Sequence, residues 1–164
     1  MKSEPGNGKL GRQRHGMPWP PLIYLVAVVA GVALDLFLPL PWLGGVLADI
    51  LFAIGWLCLL AVAALWISAI RMMLHARTTL NPKGTPEHLL TAGPFAVSRN
   101  PIYLANTVLL IGIGLIVGSV WFLLLAFVAA FLTTKLAIEF EEKMLAERFG
   151  KRYRDYSRRV RRWI

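Results

Sequence analysis

The feature that most constrains this chain is where positive charge is missing. No Lys or Arg lies between residues 22 and 70, nor between 101 and 134. Within those stretches the sequence divides into four apolar runs, residues 22–40, 46–70, 101–117 and 119–138. An α-helix needs about 20 mostly apolar residues to cross about 30 Å of hydrocarbon. Hydrocarbon offers no partner to backbone N–H and C=O groups, so such runs are helices rather than loops. The first two are joined by a stretch from Pro39 to Gly45 that is dense in helix breakers. Almost nothing but Gly118 separates the last two, which leaves a helical hairpin as the economical arrangement.

All 18 Lys and Arg fall in the N-terminal tail, in the 71–100 loop, or at and beyond Lys135. The two turns on the other side carry none. Positive charge marks the cytoplasmic side of a membrane, so both termini and the long loop are expected there. The expected fold is all-α: a polytopic membrane protein of four transmembrane helices with a cytoplasmic C-terminal amphipathic helix. Residues 1–17 read as a polar cytoplasmic tail, 18–70 as two N-terminal transmembrane helices, and 71–164 as a core holding the hairpin and the C-terminal helix. The tail has the charge of a signal-peptide n-region. The run behind it is too long and lacks a small-x-small cleavage site, so it reads as a retained first span.

A net charge of +9 raises nucleic acid as a partner for a soluble protein. Here the charge is segregated beside long apolar runs and 57% of residues are hydrophobic, so a membrane surface is the partner implied. Cys58 sits alone in an apolar stretch and reads as a packing residue. Asp35 and Asp49 lie near the outer ends of the first two runs, where water or headgroups can solvate them, a reading their position favours over a proton relay. Gly112, Gly114 and Gly118 have no preceding strand and no following acid at the distance a dinucleotide loop requires. Close helix packing, with Gly114 and Gly118 at small-xxx-small spacing, is the expectation. No metal-ligand spacing, Walker loop or Ser-His-Asp arrangement is present.

Two polar segments on the positive side hold the remaining chemistry. One runs from His88 through the turn Gly93-Pro94 to Arg99, Asn100, Pro101 and Tyr103. Asn100 before Pro101 suits an N-cap with proline at the first helical position. The free N–H groups at that helix start, with Arg99, suit a carboxylate or phosphate. The other segment begins at Glu139 and includes Glu141 and Glu142, acids at a membrane boundary that are costly unless paired or solvated. Because the third and fourth spans are antiparallel, both segments come to the same side. An arginine facing a glutamate pair suits a zwitterionic amino-acid group, and equally a plain salt-bridge cluster. Beyond them Met144, Leu145, Phe149, Tyr153, Tyr156 and Val160 are spaced for one helical face. The basic stretch 158–164 is expected to lie on anionic lipid.

The stretch Gly93-Pro94-Phe95 followed by Ser98-Arg99-Asn100-Pro101-Ile102-Tyr103-Leu104 resembles a motif of small membrane methyltransferases. So does the pattern of Glu141, Glu142, Leu145, Phe149, Gly150, Tyr153, Tyr156 and Val160. The family is that of isoprenylcysteine carboxyl methyltransferases and phospholipid methyltransferases, and the likeness covers about residues 75–164. The resemblance implies S-adenosylmethionine as cofactor and a hydrophobic methyl acceptor reached from membrane lipids. It implies a cofactor pocket lined by His88 and the Gly93-Pro94-Phe95 turn, continued by Arg99, Asn100, Pro101, Tyr103 and Leu104. Glu141 and Glu142 match the acidic pair that in this family holds the cofactor's amino group, and Arg99, Tyr103 and Glu142 are the candidate catalytic residues. Many members carry histidine where this chain has Asn100, and asparagine cannot act as a base near neutral pH. Two other classes are compatible with these residues: an NADPH-dependent membrane reductase of related helical arrangement, and a non-catalytic membrane scaffold.

Overall fold

A computed structural model describes residues 19–75 and 88–164. The polar tail at 1–17, and the part of the long loop that holds Arg77 and Lys83, lie outside the described residues. All regular structure among the described residues is helical: α1 (Trp19–Phe37), α2 (Gly45–His75), α3 (Pro94–Val97), α4 (Pro101–Val117), α5 (Val120–Thr133), α6 (Glu139–Phe149) and α7 (Lys151–Arg159). A π-helical turn, Thr134–Ile138, joins α5 to α6 without a break. Three helical stretches are long and apolar enough to cross a membrane: Pro20–Phe37, Gly45–His75 and Val120–Phe149. Pro101–Val117 is apolar but shorter.

The helix limits follow local chemistry. Proline at the start of α1 costs little, because the first N–H groups of a helix have no intrahelical acceptor. Pro39 and Pro41 then prevent its continuation. α2 runs past the expected end at Ile70 to His75, so the polar side chains from Arg71 onward still ride on helix. Gly118 adopts φ 71°, a left-handed conformation that ends α4, and Ser119 caps α5 by accepting from Phe122 N–H at 3.4 Å. The continuous amphipathic helix expected from Glu139 onward is two helices. Gly150 at φ 52° divides α6 from α7, because that conformation interrupts the helical path.

α4 and α5 form the hairpin, α2 packs on α4, and α1 packs chiefly on α5. The face α2 turns inward is narrow: its buried residues are Gly55, Val62 and Ala69, seven positions apart each time. Small residues at that spacing let two backbones approach along one seam. Gly55 and Gly112 carry the closest approach, since a Cβ on Gly112 would fall 3.2 Å from the Gly55 carbonyl oxygen. Gly114 instead faces Phe122 and Leu123 of α5. Gly118, expected to pair with Gly114 in a packing stripe, serves the turn and lies under the Trp42 ring. Tyr24, Ala27, Leu110, Phe122, Ala126 and Ala129 make the core between α1, α4 and α5. Outward, Leu25, Val29, Leu57, Leu60, Phe127 and Phe131 are each at least 60% exposed, a surface that suits hydrocarbon rather than water. Asp49 is exposed and Asp35 half-buried, both at the end remote from the acidic motif.

Gly55→Leu is expected to pry α2 from α4, because a Cβ there already falls 2.7 Å from Ile116 Cγ1. Overpacking of this kind costs about 1–3 kcal/mol, read as a lower midpoint of thermal unfolding in detergent. Gly44→Ala, where a Cβ meets nothing within 4 Å, is expected to leave that midpoint unchanged.

Candidate functional site

At the end of the bundle opposite the Gly118 turn, three stretches remote in sequence converge. They are the α3–α4 turn, the first turn of α6, and the extended segment after α7. Pro94 starts α3, a single turn, and Ser98 leaves it in an extended conformation that aims Arg99 back toward α6. The chain leaves α7 at Val160, also extended, and lies along that turn. Arg99 N–H donates to the Arg161 carbonyl at 3.1 Å, and Asn100 Nδ2 donates to the Arg162 carbonyl at 2.9 Å. Ser98, which is buried, donates its hydroxyl to the same carbonyl at 3.3 Å. Asn100 stands at the N-cap position, but its side chain makes no capping bond. It is spent on Arg162, while Pro101 fills the first helical position as expected.

The charges meet on Glu142. Arg162 holds its carboxylate with two parallel bonds from one edge of its guanidinium group, Nε to Oε1 at 3.0 Å and Nη2 to Oε2 at 2.7 Å. Arg99 Nη1 reaches Oε1 at 3.1 Å and also donates to the Tyr153 hydroxyl at 3.1 Å. Bidentate, charge-assisted pairs of this kind are among the stronger polar contacts in proteins. The Glu142 side chain is only 18% exposed, so a merely solvated carboxylate does not describe it. Glu141, its neighbour in sequence, is engaged differently: it accepts the Tyr103 phenol at 2.6 Å. Glu139 pairs outward with Lys135 at 2.7 Å. The π turn before α6 inserts a residue relative to α-helical winding, which rotates the faces of α6 by about 100°. The acids thereby divide between the α4 face and the edge of the bundle.

Two tyrosines of α7 brace the turn. Tyr156 donates to the Phe95 carbonyl at 2.6 Å, and Tyr153 is the phenol that Arg99 meets. Burial pushes the Tyr156 phenol up to about 12, since it disfavours the phenolate, although nearby Arg99 works the other way. Burial, with the Glu142 charge adding to it, raises Tyr153 as well. The hydrogen bond and charge of Glu142 hold Arg162 above the ordinary arginine value.

Of the residues singled out from sequence, Arg99 pairs with Glu142 and Tyr103 with Glu141 through side chains, while the Asn100 side chain binds the Arg162 carbonyl. Gly93, Pro94, Phe95, Pro101 and Leu104 build the backbone around them. His88 is exposed and stands outside this cluster. Sequence reasoning missed Ser98 and Arg162. Arg162 lies in a run of basic residues expected to rest on lipid, and nothing in the run distinguishes it. Arg158, Arg159 and Arg161 are exposed, whereas Arg162 turns inward. Tyr153 and Tyr156 were legible as an apolar face but not as hydrogen-bond donors and acceptors. Among the described residues no group of His, Cys, Asp and Glu is placed to hold a metal ion.

A sequence model of the phospholipid methyltransferase family matches residues 50–152. The matched stretch takes in most of α2, the α3–α4 turn, the hairpin and the acidic motif, and ends at the start of α7. No curated protein and no solved structure matches the chain.

An unfolded tyrosine ionises near pH 10, whereas folded Tyr156 keeps its proton to about 12. Its contribution to stability is therefore full below about pH 10 and lost as pH rises toward 12. Thermal midpoints are expected to fall across that interval. Tyr156→Phe is expected to lose about 1 kcal/mol at neutral pH, and to show a shallower alkaline fall than the parent.

Proposed function

The chain belongs to the phospholipid methyltransferase family, and from that premise we propose that it transfers a methyl group from S-adenosylmethionine to a lipid or lipid-like acceptor at the cytoplasmic membrane face. In this reading the protein is integral to the membrane, with α1, α2 and the α4–α5 hairpin as its embedded part. All four apolar helices, α1, α2, α4 and α5, cross, and both termini are cytoplasmic. At about 1.5 Å per residue the 17 residues of α4 span about 26 Å. That is nearly the hydrocarbon thickness, and α2 and α5 flank it on either side. The positive charge beside the cluster supports the orientation.

The observation that carries the reading is an arginine and two glutamates brought together where apolar helices end. Arg99 Nε is buried and has no hydrogen-bond partner among the described residues. A buried donor left unpaired costs about 1–3 kcal/mol, so an acceptor supplied by a ligand fits there. Glu141 accepts a phenol but faces no cation among the described residues. An unmet guanidinium donor on Arg99 and a carboxylate with no cation partner on Glu141, next in sequence to the acid that Arg99 pairs with, suit the amino-acid end of S-adenosylmethionine, which bears one carboxylate and one ammonium. The cofactor, when bound, supplies an already activated sulfonium methyl group, so transfer depends chiefly on positioning the acceptor.

The chain's own residues then have defined tasks. Arg99 binds the carboxylate, and the acidic pair Glu141 and Glu142 supplies the negative charge that draws the ammonium. Tyr103 fixes the Glu141 carboxylate from the first turn of α4. The Gly93-Pro94-Phe95 turn, Asn100, Pro101 and Leu104 form the wall, while His88, exposed and outside the cluster, has no task. Asn100 takes no proton. A carboxylate acceptor needs no base, while an amine acceptor must arrive unprotonated. Access from the bilayer suits the exposed apolar flank of α5, where Phe127 and Phe131 face outward.

Calorimetric titration of the detergent-purified protein with S-adenosylmethionine, and with NADPH as control, tests this directly. Saturable binding of the former alone is expected. Arg99→Ala and Glu142→Gln are each expected to weaken it at least about tenfold in a protein that stays folded. NADPH binding in preference would favour a reductase. Variants that unfold more easily yet bind S-adenosylmethionine like the parent would reduce the cluster to a scaffold.

A further inference from the structure

Glu142 has little left to offer a ligand. Its Oε1 accepts Arg162 Nε at 3.0 Å and lies 3.1 Å from Arg99 Nη1, and its Oε2 accepts Arg162 Nη2 at 2.7 Å. A carboxylate has about four lone-pair sites, and three are taken by two cations. A third cation arriving there would meet two positive charges around one negative. Glu141 stands beside it with one neutral donor, the Tyr103 phenol at 2.6 Å. Between the two acids, the ammonium of a ligand is drawn to Glu141.

The contacts around Glu142 close into a ring. The carbonyls of Arg161 and Arg162 accept from Arg99 N–H, Ser98 Oγ and Asn100 Nδ2, which pins the segment after α7 onto the α3–α4 turn. From that anchored backbone the Arg162 side chain grips Glu142 in the bidentate geometry that only an arginine fork makes. Glu142 in turn takes Arg99 Nη1, and Tyr153 takes the same nitrogen at 3.1 Å. With Nη1 held at two points, Arg99 Nε is the buried donor left facing no partner. Arg162 lies beyond the residues that match the family, which end at 152.

We propose that Arg162 is a positioning residue of the cofactor site. It locks Glu142, and through it Arg99, so that Arg99 receives the ligand's carboxylate while Glu141 receives its ammonium. The proposal rests on the reading that this cluster binds S-adenosylmethionine.

Its test compares two ligands across four variants: R162A, R162K, E142Q and E141Q. The ligands are S-adenosylmethionine and its decarboxylated analogue, which keeps the sulfonium and the ammonium but has no carboxylate. Dissociation constants are measured by calorimetry, with thermal midpoints recorded alongside. R162A and E142Q are expected to weaken S-adenosylmethionine about tenfold or more, and the decarboxylated analogue by less than about threefold. E141Q is expected to weaken both ligands about tenfold. R162K keeps the charge without the fork and is expected to fall between R162A and the parent, which also serves if R162A does not fold. A parent that binds neither ligand would overturn the cofactor reading itself. With a parent that binds, three results would overturn the role of Arg162 alone: unchanged S-adenosylmethionine affinity in R162A and R162K, equal losses for both ligands, or tighter binding on removing the arginine. E141Q binding both ligands like the parent would overturn the assignment of the ammonium to Glu141.

Discussion

The carboxylate of Glu142, shared between two guanidinium groups, is the contact on which the arrangement at this end of the molecule depends. It joins the turn before α4, the first turn of α6 and the segment after α7. A carboxylate at the edge of an apolar bundle loses hydration, and that loss is offset only by partners of good geometry. Arg162 supplies that geometry with two parallel hydrogen bonds. Arg99 completes the charge balance and is itself constrained by Tyr153. Each arginine of the ring has a second anchor, Arg99 in a backbone bond and the Tyr153 phenol and Arg162 through its carbonyl, so neither is free to swing toward water.

The bundle makes the ring possible by fixing where its pieces start. Gly55 against Gly112 brings α2 and α4 to close contact, and the Gly118 turn sets α5 beside α4. Tyr24 of α1 reaches Thr107 Oγ1 at 2.7 Å, and Trp66 of α2 donates to Asn106 Oδ1 at 3.1 Å. Both hydrogen bonds cross between helices in an otherwise apolar interior, where polar pairs discriminate one helix register from another. α4 is thereby pinned from both sides. Its first turn presents Tyr103 to Glu141, and the π turn at the end of α5 rotates α6 to meet it.

Much of the fold was legible because the chain's apolar runs and its charge segregation answer to one solvent. The hairpin at Gly118, the proline at the start of α4 and the pairing of Arg99 with an acid of the Glu141-Glu142 motif are all consequences of spacing and charge. The features that were not legible depended on conformation at single residues. Gly150 divides the expected amphipathic helix, and nothing in the flanking periodicity marks the break, since Phe149 and Tyr153 continue the same face across it. Asn100 reads as a cap, yet its side chain is claimed by a carbonyl more than sixty residues away. Arg162 sits among arginines of identical local character. Only the path of the chain after Val160 sets it apart, and that path is a tertiary fact.

If the cluster is a cofactor site, the turn before α4, the acidic motif and the segment after α7 together enclose one S-adenosylmethionine. Ultraviolet cross-linking of S-adenosylmethionine labelled in its methyl group, followed by mapping of the labelled peptide, addresses this most directly. Label is predicted to be confined to peptides from residues 88–104 and 139–163, and to be lost when unlabelled S-adenosylmethionine is in excess. Competable label on α1 or on the first turns of α2 would place the cofactor elsewhere and contradict this assignment.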